Sequence, residues 1–243
     1  MELAASEEKG VTRHLLRGKQ AFIFDFDGTL AILNIDFVQM RQQIYRIIER
    51  YGVVPSQFDH LYILEMVEAA VAQIGQEDGS RGAHLYREAH DTILALEAEA
   101  ARHSGMLPGA VETLQFLRRQ GLKVGVVTRN SEAAVRTICT TIDGLCDIFL
   151  PREAVRFAKP HPEHLQRALD SLQVPAQEAV MVGDGPIDIR AGKALGLTTV
   201  AVLTGGGQRD ALLASQPDLL LNSVADLIAN LSPSRGTRPD LCA

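Results

Sequence analysis

Short continuous apolar runs punctuate this chain, and each stops at a cluster of acidic, hydroxyl or glycine residues. The first is Ala21-Phe22-Ile23-Phe24, followed at once by Asp25-Phe26-Asp27-Gly28. Runs of similar length span Lys123 to Val127, Asp147 to Leu150, Ala179 to Val182 and Thr198 to Leu203, with a weaker one from Asp218 to Leu221. A run without polar alternation predicts a strand buried on both faces, as in a parallel sheet. Helix-like stretches lie between the runs: Gly109 to Arg119, Glu132 to Thr141, Pro162 to Leu172 and Ile187 to Leu195. Strand and helix alternating in this order predict βα units and an α/β fold, a Rossmann-like core of three layers around a parallel sheet.

One segment breaks the alternation. Phe37, Met40, Ile44, Ile47, Ile48 and Tyr51 recur at helical spacing, as do Phe58, Leu61, Leu64, Val67 and Val71. The alanine-rich stretch from Arg81 to Arg102 predicts another helix. Pro55-Ser56 and the Gly75 to Gly82 region supply the breaks. An ordinary βα connection takes only ~2–6 residues, so residues 31–107 read as an inserted α-helical cap. The α/β core is then 20–30 together with 108–231, with tails at 1–19 and 232–243. The Met and aromatic stripes of the insertion read as its own core.

Composition narrows the class. Of 243 residues, 46% are hydrophobic and 22% charged, enough for a sizeable core. The formal net charge is −6 and no basic block stands out, which argues against a nucleic-acid partner. An acidic chain also repels anionic substrates, so a phosphate-binding site would need a local cation to overcome that field. Cys139, Cys146 and Cys242 lack metal-type spacing and suit a reducing compartment. The polar, acidic start is unlike a signal peptide, and no apolar run approaches the ~20 residues of a membrane span. The expectation is a cytoplasmic protein, monomer or homodimer, without a membrane partner.

Ligands of open α/β sheets bind beyond the carboxyl ends of the strands. After the first run, Asp25 and Asp27 stand two apart and point to the same side of an extended chain. Such a pair suits a hard, oxygen-seeking cation such as Mg²⁺, or a division of labour between attack and proton transfer. Gly28 permits a sharp turn or a close approach to ligand. Thr128-Arg129-Asn130-Ser131 offers a hydroxyl and backbone donors at a helix start, a ready anion site. Lys159 offers a point positive charge. Asp184 and Asp188 add two carboxylates in a glycine-rich turn. Taken singly, most of these have ordinary readings as turn formers or N-caps. Asp25-x-Asp27-Gly-Thr does not: it arises by chance in well under ~1% of chains of this length.

With these four clusters in order, the chain resembles the haloacid dehalogenase-like (HAD) superfamily, and within it phosphatases with a helical cap, such as phosphoglycolate phosphatases. The matches are Phe24-Asp25-Phe26-Asp27-Gly28-Thr29-Leu30, Val126-Val127-Thr128-Arg129-Asn130, Lys159-Pro160-His161-Pro162-Glu163 and Val182-Gly183-Asp184-Gly185-Pro186-Ile187-Asp188. The resemblance implies a Mg²⁺-dependent phosphatase acting on a small organic phosphate ester through a phosphoaspartate, with phosphoglycolate as the leading substrate. It implies that Asp25 attacks phosphorus and that Asp27 moves protons. Mg²⁺ is expected at Asp25, the Asp27 carbonyl, Asp184 and Asp188. Gly28, Thr128, Arg129, Asn130 and Lys159 are expected to surround the phosphoryl group. Two alternatives remain open here: a phosphomutase of the β-phosphoglucomutase type, and a catalytically silent HAD-like binding module.

Other features read as structural. Gly205-Gly206-Gly207-Gln208-Arg209 lacks the Lys-Ser/Thr of a P-loop and reads as a plain strand–helix turn, at most bordering the site. His161 and His164 read as solvated surface rather than zinc ligands. His84, Arg87 and Glu88 read as helix residues facing water.

Overall fold

A computed structural model describes residues 14–206 and 209–232. The chain divides into two compact units, one comprising residues up to Ile32 and from Gly105 onward, the other Leu33–Ser104.

The first unit is built on a six-stranded sheet of β1 (Ala21–Phe24), β4 (Lys123–Val127), β5 (Ile148–Leu150), β6 (Ala179–Gly183), β7 (Thr198–Val202) and β8 (Leu219–Leu221), in the order β5-β4-β1-β6-β7-β8. All five pairings are parallel. All four residues of β1 are fully buried, whereas β5 is only half-buried along its length. The central strands are therefore covered on both faces, which is why they lack polar alternation. The helices between strands are α4 (Ala110–Arg119), α5 (Glu132–Ile138), α6 (Ile142–Leu145), α7 (Pro162–Leu172), α8 (Pro186–Leu195) and α9 (Arg209–Ala214), with α10 (Asp226–Leu231) after β8. On one face of the sheet, Leu165, Leu169 and Leu172 of α7 pack with Ile23 of β1 and Met181 of β6. Each such side chain contributes roughly 1.5–3 kcal/mol on full burial.

The α/β class and the parallel sheet are as the apolar runs predict, with edges shifted by no more than three residues. α5 stops at Ile138 rather than Thr141, because Cys139 leaves helical geometry and two β-branched threonines follow. A small antiparallel pair was not foreseen: β2 (Ala31–Ile32) bonds β3 (Gly105–Met106). Two residues per strand carry no readable period.

The second unit contains α1 (Phe37–Arg50), α2 (Ile63–Glu77) and α3 (Gly79–Ala101) around its own core of Met40, Ile44, Ile48, Met66, Val67, Leu85 and Ile93, among others. Asp36 caps α1 by accepting from Gln39 N–H at 2.8 Å, and Asp78 caps α3 through Ser80 and Arg81. The break falls at Asp78, not across the Gly75 to Gly82 region. Both glycines lie inside helices where the backbones of α2 and α3 converge: a Cβ on Gly82 would stand 3.2 Å from Gly75 Cα and Val71 O. Their lack of a side chain permits the close approach.

The first thirteen residues of the expected N-terminal tail, and all of the C-terminal one after Ser232, lie outside the described residues. Leu16 is buried and Gln20 N–H bonds Glu178 O at 2.7 Å, so packing begins ahead of β1. Cys139 and Cys146 are free and buried, and Cys242 lies outside the described residues. Among the described residues no helix is long and apolar enough to cross a membrane.

Candidate active site

Parallel strands deliver their carboxyl ends to one edge of the sheet, and β1, β4 and β6 are adjacent there. Register pairs Phe24 with Val126 and with Val182. Asp25 leaves the sheet directly after β1, Thr128 directly after β4 and Asp184 directly after β6. The Asp25 N–H still bonds Val182 O at 2.9 Å, fixing the residue at the strand end. Lys159 enters from the loop ahead of α7, and Asp188 from the first turn of α8.

These groups meet at a buried ammonium. Lys159 is wholly buried, and its Nζ stands 2.7 Å from Asp25 Oδ1 and 2.7 Å from Asp188 Oδ1. Asp188 also holds its own helix start, its other oxygen accepting from Gly185 N–H at 3.2 Å. Asp184 comes in beside them, with Thr29 Oγ1 donating to Asp184 Oδ1 at 3.4 Å. Carboxylate oxygens of Asp25, Asp184 and Asp188 all lie within 4.8 Å of one another, a set of hard donors that could hold a divalent cation. Asp27 is half-buried and close enough for its charge to act on both Asp25 and Asp184.

The charges are out of balance, four carboxylates against one ammonium. Burial, followed by the negative charges of Asp188 and Asp27, pushes the Asp25 carboxyl well above its ordinary range, with Lys159 pulling the other way. Burial and then the charge of Asp25 push Asp184 up likewise. Burial would lower the Lys159 ammonium, but Asp188 and Asp25 outweigh it and leave the group firmly protonated. A bound cation would relieve this crowding.

The Thr128 cluster is closed on itself. Thr128 Oγ1 accepts from Asn130 N–H at 3.1 Å and donates to Asn130 Oδ1 at 2.7 Å. Arg129 reaches back to donate to the Lys159 carbonyl oxygen. The structure thus brings Lys159 into direct contact with Asp25 and Asp188, with Asp184 within 4.8 Å of both carboxylates. Thr128 and Asn130 lie at the adjacent strand end, and the Arg129 guanidinium is on backbone.

Glycines make the approach possible. Gly28 has φ 76° and sits so close that a Cβ would fall 2.3 Å from Asp184 Oδ2. Gly205, read from sequence as part of a plain turn, is closer still, its hypothetical Cβ lying 1.7 Å from the same oxygen. Its neighbour Thr204 donates to the Gly28 carbonyl at 2.7 Å. The turn after β7 therefore forms a wall of the site. Only its position after a central strand could have signalled this. Gly205→Ala is expected to displace Asp184, costing about 1–3 kcal/mol of stability and most of the activity, checked by thermal melting and kcat.

His164 corrects the surface reading of the histidines: it is fully buried on α7. His161 stays at the helix start, its Nδ1 accepting from Glu163 N–H at 3.2 Å. In the helical unit, His84 and Arg87 are exposed as expected. Glu88 is engaged with Arg50 and Tyr51, along a cleft of about 570 Å³ that Gln39, Gln43 and Arg46 also line.

The haloacid dehalogenase-like hydrolase family matches residues 19–196, a span that takes in all four clusters. The chain belongs to the haloacid dehalogenase-like hydrolases. Its relatives in the family include two proteins named pyrophosphatase PpaX. The one from Bacillus cereus (strain G9842) is 30% identical over 219 residues, covering 86% of this chain and 95% of the relative. The one from Bacillus thuringiensis (strain Al Hakam) is 39% identical over the same lengths. Among solved structures, a predicted phosphoglycolate phosphatase from Haemophilus somnus 129pt superimposes with a TM-score of 0.61 at 19% identity, covering 89% of this chain and all of that one. That likeness speaks to the fold alone.

Proposed function

We propose that this hydrolase is a phosphatase that cleaves a small phosphate ester or anhydride with Mg²⁺ as cofactor, through a phosphoaspartate on Asp25. The observation that carries this reading is the buried ammonium of Lys159, 2.7 Å from Asp25 and 2.7 Å from Asp188, inside a cluster of carboxylates. An unreactive structural pair needs one carboxylate; this ammonium serves two, with Asp184 held alongside and left to a cation. The donor set is all oxygen and fits Mg²⁺, which Asp25, Asp184, Asp188 and the Asp27 carbonyl would hold. When bound, the ion supplies positive charge against the phosphate and keeps Asp25 ionised.

Asp25 then attacks phosphorus and the bond from phosphorus to the leaving oxygen breaks. Asp27 gives that oxygen its proton. In the second half, Asp27 takes a proton from water, the water oxygen attacks phosphorus, and Asp25 departs as a free carboxylate with release of inorganic phosphate. Thr128, the Asn130 N–H and Lys159 hold the phosphoryl oxygens where charge builds up. Arg129 contributes through the Lys159 backbone it bonds. Gly28 leaves room for Asp184.

The name pyrophosphatase carried by the PpaX relatives is the reason to test pyrophosphate beside phosphoglycolate as a candidate substrate. Phosphate release is to be measured from both, and from sugar phosphates and nucleoside monophosphates, with Mg²⁺ and with chelator. The reading predicts release that disappears on chelation. Release that persists at full rate in chelator would contradict it. Interconversion of sugar phosphates without net phosphate would replace it with a mutase.

A further inference from the structure

The loop that carries Lys159 is held by an unusual partner. His164 is fully buried in the first turn of α7, with Nδ1 accepting from the Lys159 backbone N–H at 3.3 Å and Nε2 facing the Leu150 carbonyl at 3.1 Å. Only one form of imidazole satisfies both: neutral, with the proton on Nε2. The Leu150 carbonyl is also the acceptor for the Thr128 N–H, at 3.1 Å. One carbonyl and one imidazole thus join the backbone of Lys159 to the backbone of Thr128. The Lys159 carbonyl is fixed from its other side by Arg129. Both peptide groups of Lys159 are pinned, and its Nζ has two carboxylates to reach.

We propose that His164 is a positioning residue, a neutral strut that sets the Lys159 ammonium against Asp25 and in register with Thr128. The proposal rests on the reading of Asp25 and Lys159 given above. A simple space-filling role would need neither nitrogen, and a leucine there would extend the stripe of Leu165, Ala168 and Leu172. The surroundings keep the ring uncharged. Burial, then the positive charges of Lys159 and Arg129, hold its pKa down at about 3, with the Leu150 and Pro151 carbonyls pulling upward.

Three variants separate the two bonds. His164→Asn keeps an acceptor near Nδ1, His164→Gln keeps a donor near Nε2, and His164→Leu keeps neither. Two readouts are taken on each: hydrogen exchange at the Lys159 amide, which needs no activity, and kcat with KM for phosphate release. Expected is retained Lys159 protection in His164→Asn, with kcat within about threefold of the parent, and lost protection in His164→Gln and His164→Leu. In these two, kcat falls about ten- to a hundredfold at little-changed KM, the size expected when a catalytic group is misplaced.

Unchanged Lys159 exchange in folded His164→Leu would overturn the strut. So would equal losses in all three variants tracking their melting temperatures, which would make the residue packing alone. If the parent releases no phosphate from any substrate, the phosphatase reading fails, while Lys159 exchange still decides for or against the strut.

Discussion

Asp25→Asn lowers phosphate release by about four orders of magnitude or more, the scale on which loss of an enzymatic nucleophile is felt, while the protein stays folded. An amide oxygen in the same place still accepts from Lys159, and Lys159 retains Asp188 at 2.7 Å. The fold therefore loses no essential contact. Burial and the neighbouring charges of Asp188 and Asp27 oppose ionisation of Asp25, so removing the charge relieves repulsion in the metal-free protein. Its melting temperature without Mg²⁺ is expected to match or exceed that of the parent. A variant that is inactive because it is unfolded would show the opposite, so activity and melting measured together separate chemistry from collapse.

Lys159→Met has the second-largest effect and a different signature. Methionine fills much the same space but leaves Asp188, with a side chain only 2% exposed, beside Asp25 without a counter-charge. Breaking a buried pair by removing one partner costs about 3–5 kcal/mol, and here one removal breaks two. Denaturant unfolding without metal is expected to show a loss of that order, together with loss of turnover. Added Mg²⁺ should restore part of the stability, because the carboxylates regain positive charge. If Lys159→Met unfolds at the parent's denaturant concentration, the ammonium is not what holds the cluster together.

Much of this site is legible in the chain because buried parallel strands are continuous apolar runs and their ends are marked. Ala21 to Phe24 ends at Asp25, Lys123 to Val127 at Thr128, and Ala179 to Gly183 at Asp184. A parallel sheet brings those ends to one edge, and with β4 and β6 flanking β1 they become neighbours although far apart in sequence. What escaped reading was contact rather than position. Gly205 looks like any turn glycine, and its closeness to Asp184 depends on β7 lying beside β6. By the general habit of polar residues, His164 reads as surface. It nevertheless sits four and eight residues before Ala168 and Leu172 on the buried stripe of α7. A histidine on an apolar stripe next to a charged loop is a signal that periodicity alone does not weigh. The glycines at 75 and 82 read as breaks because sequence does not say where two helices touch.

The central claim is that Asp25 becomes phosphorylated during turnover. It is tested most directly by acid quench during the reaction with Mg²⁺ and a released-phosphate substrate, followed by peptide mass analysis of the parent and of Asp27→Asn. In that variant both steps lack the Asp27 proton transfer, so the substrate is one whose leaving group departs unprotonated, such as 4-nitrophenyl phosphate, which keeps the first step running while the second stalls. The account predicts one phosphoryl group on the peptide containing Asp25, accumulating more in Asp27→Asn than in the parent. Phosphate released through many turnovers with no phosphoryl group on Asp25 in either protein, or with one on another residue, would contradict it.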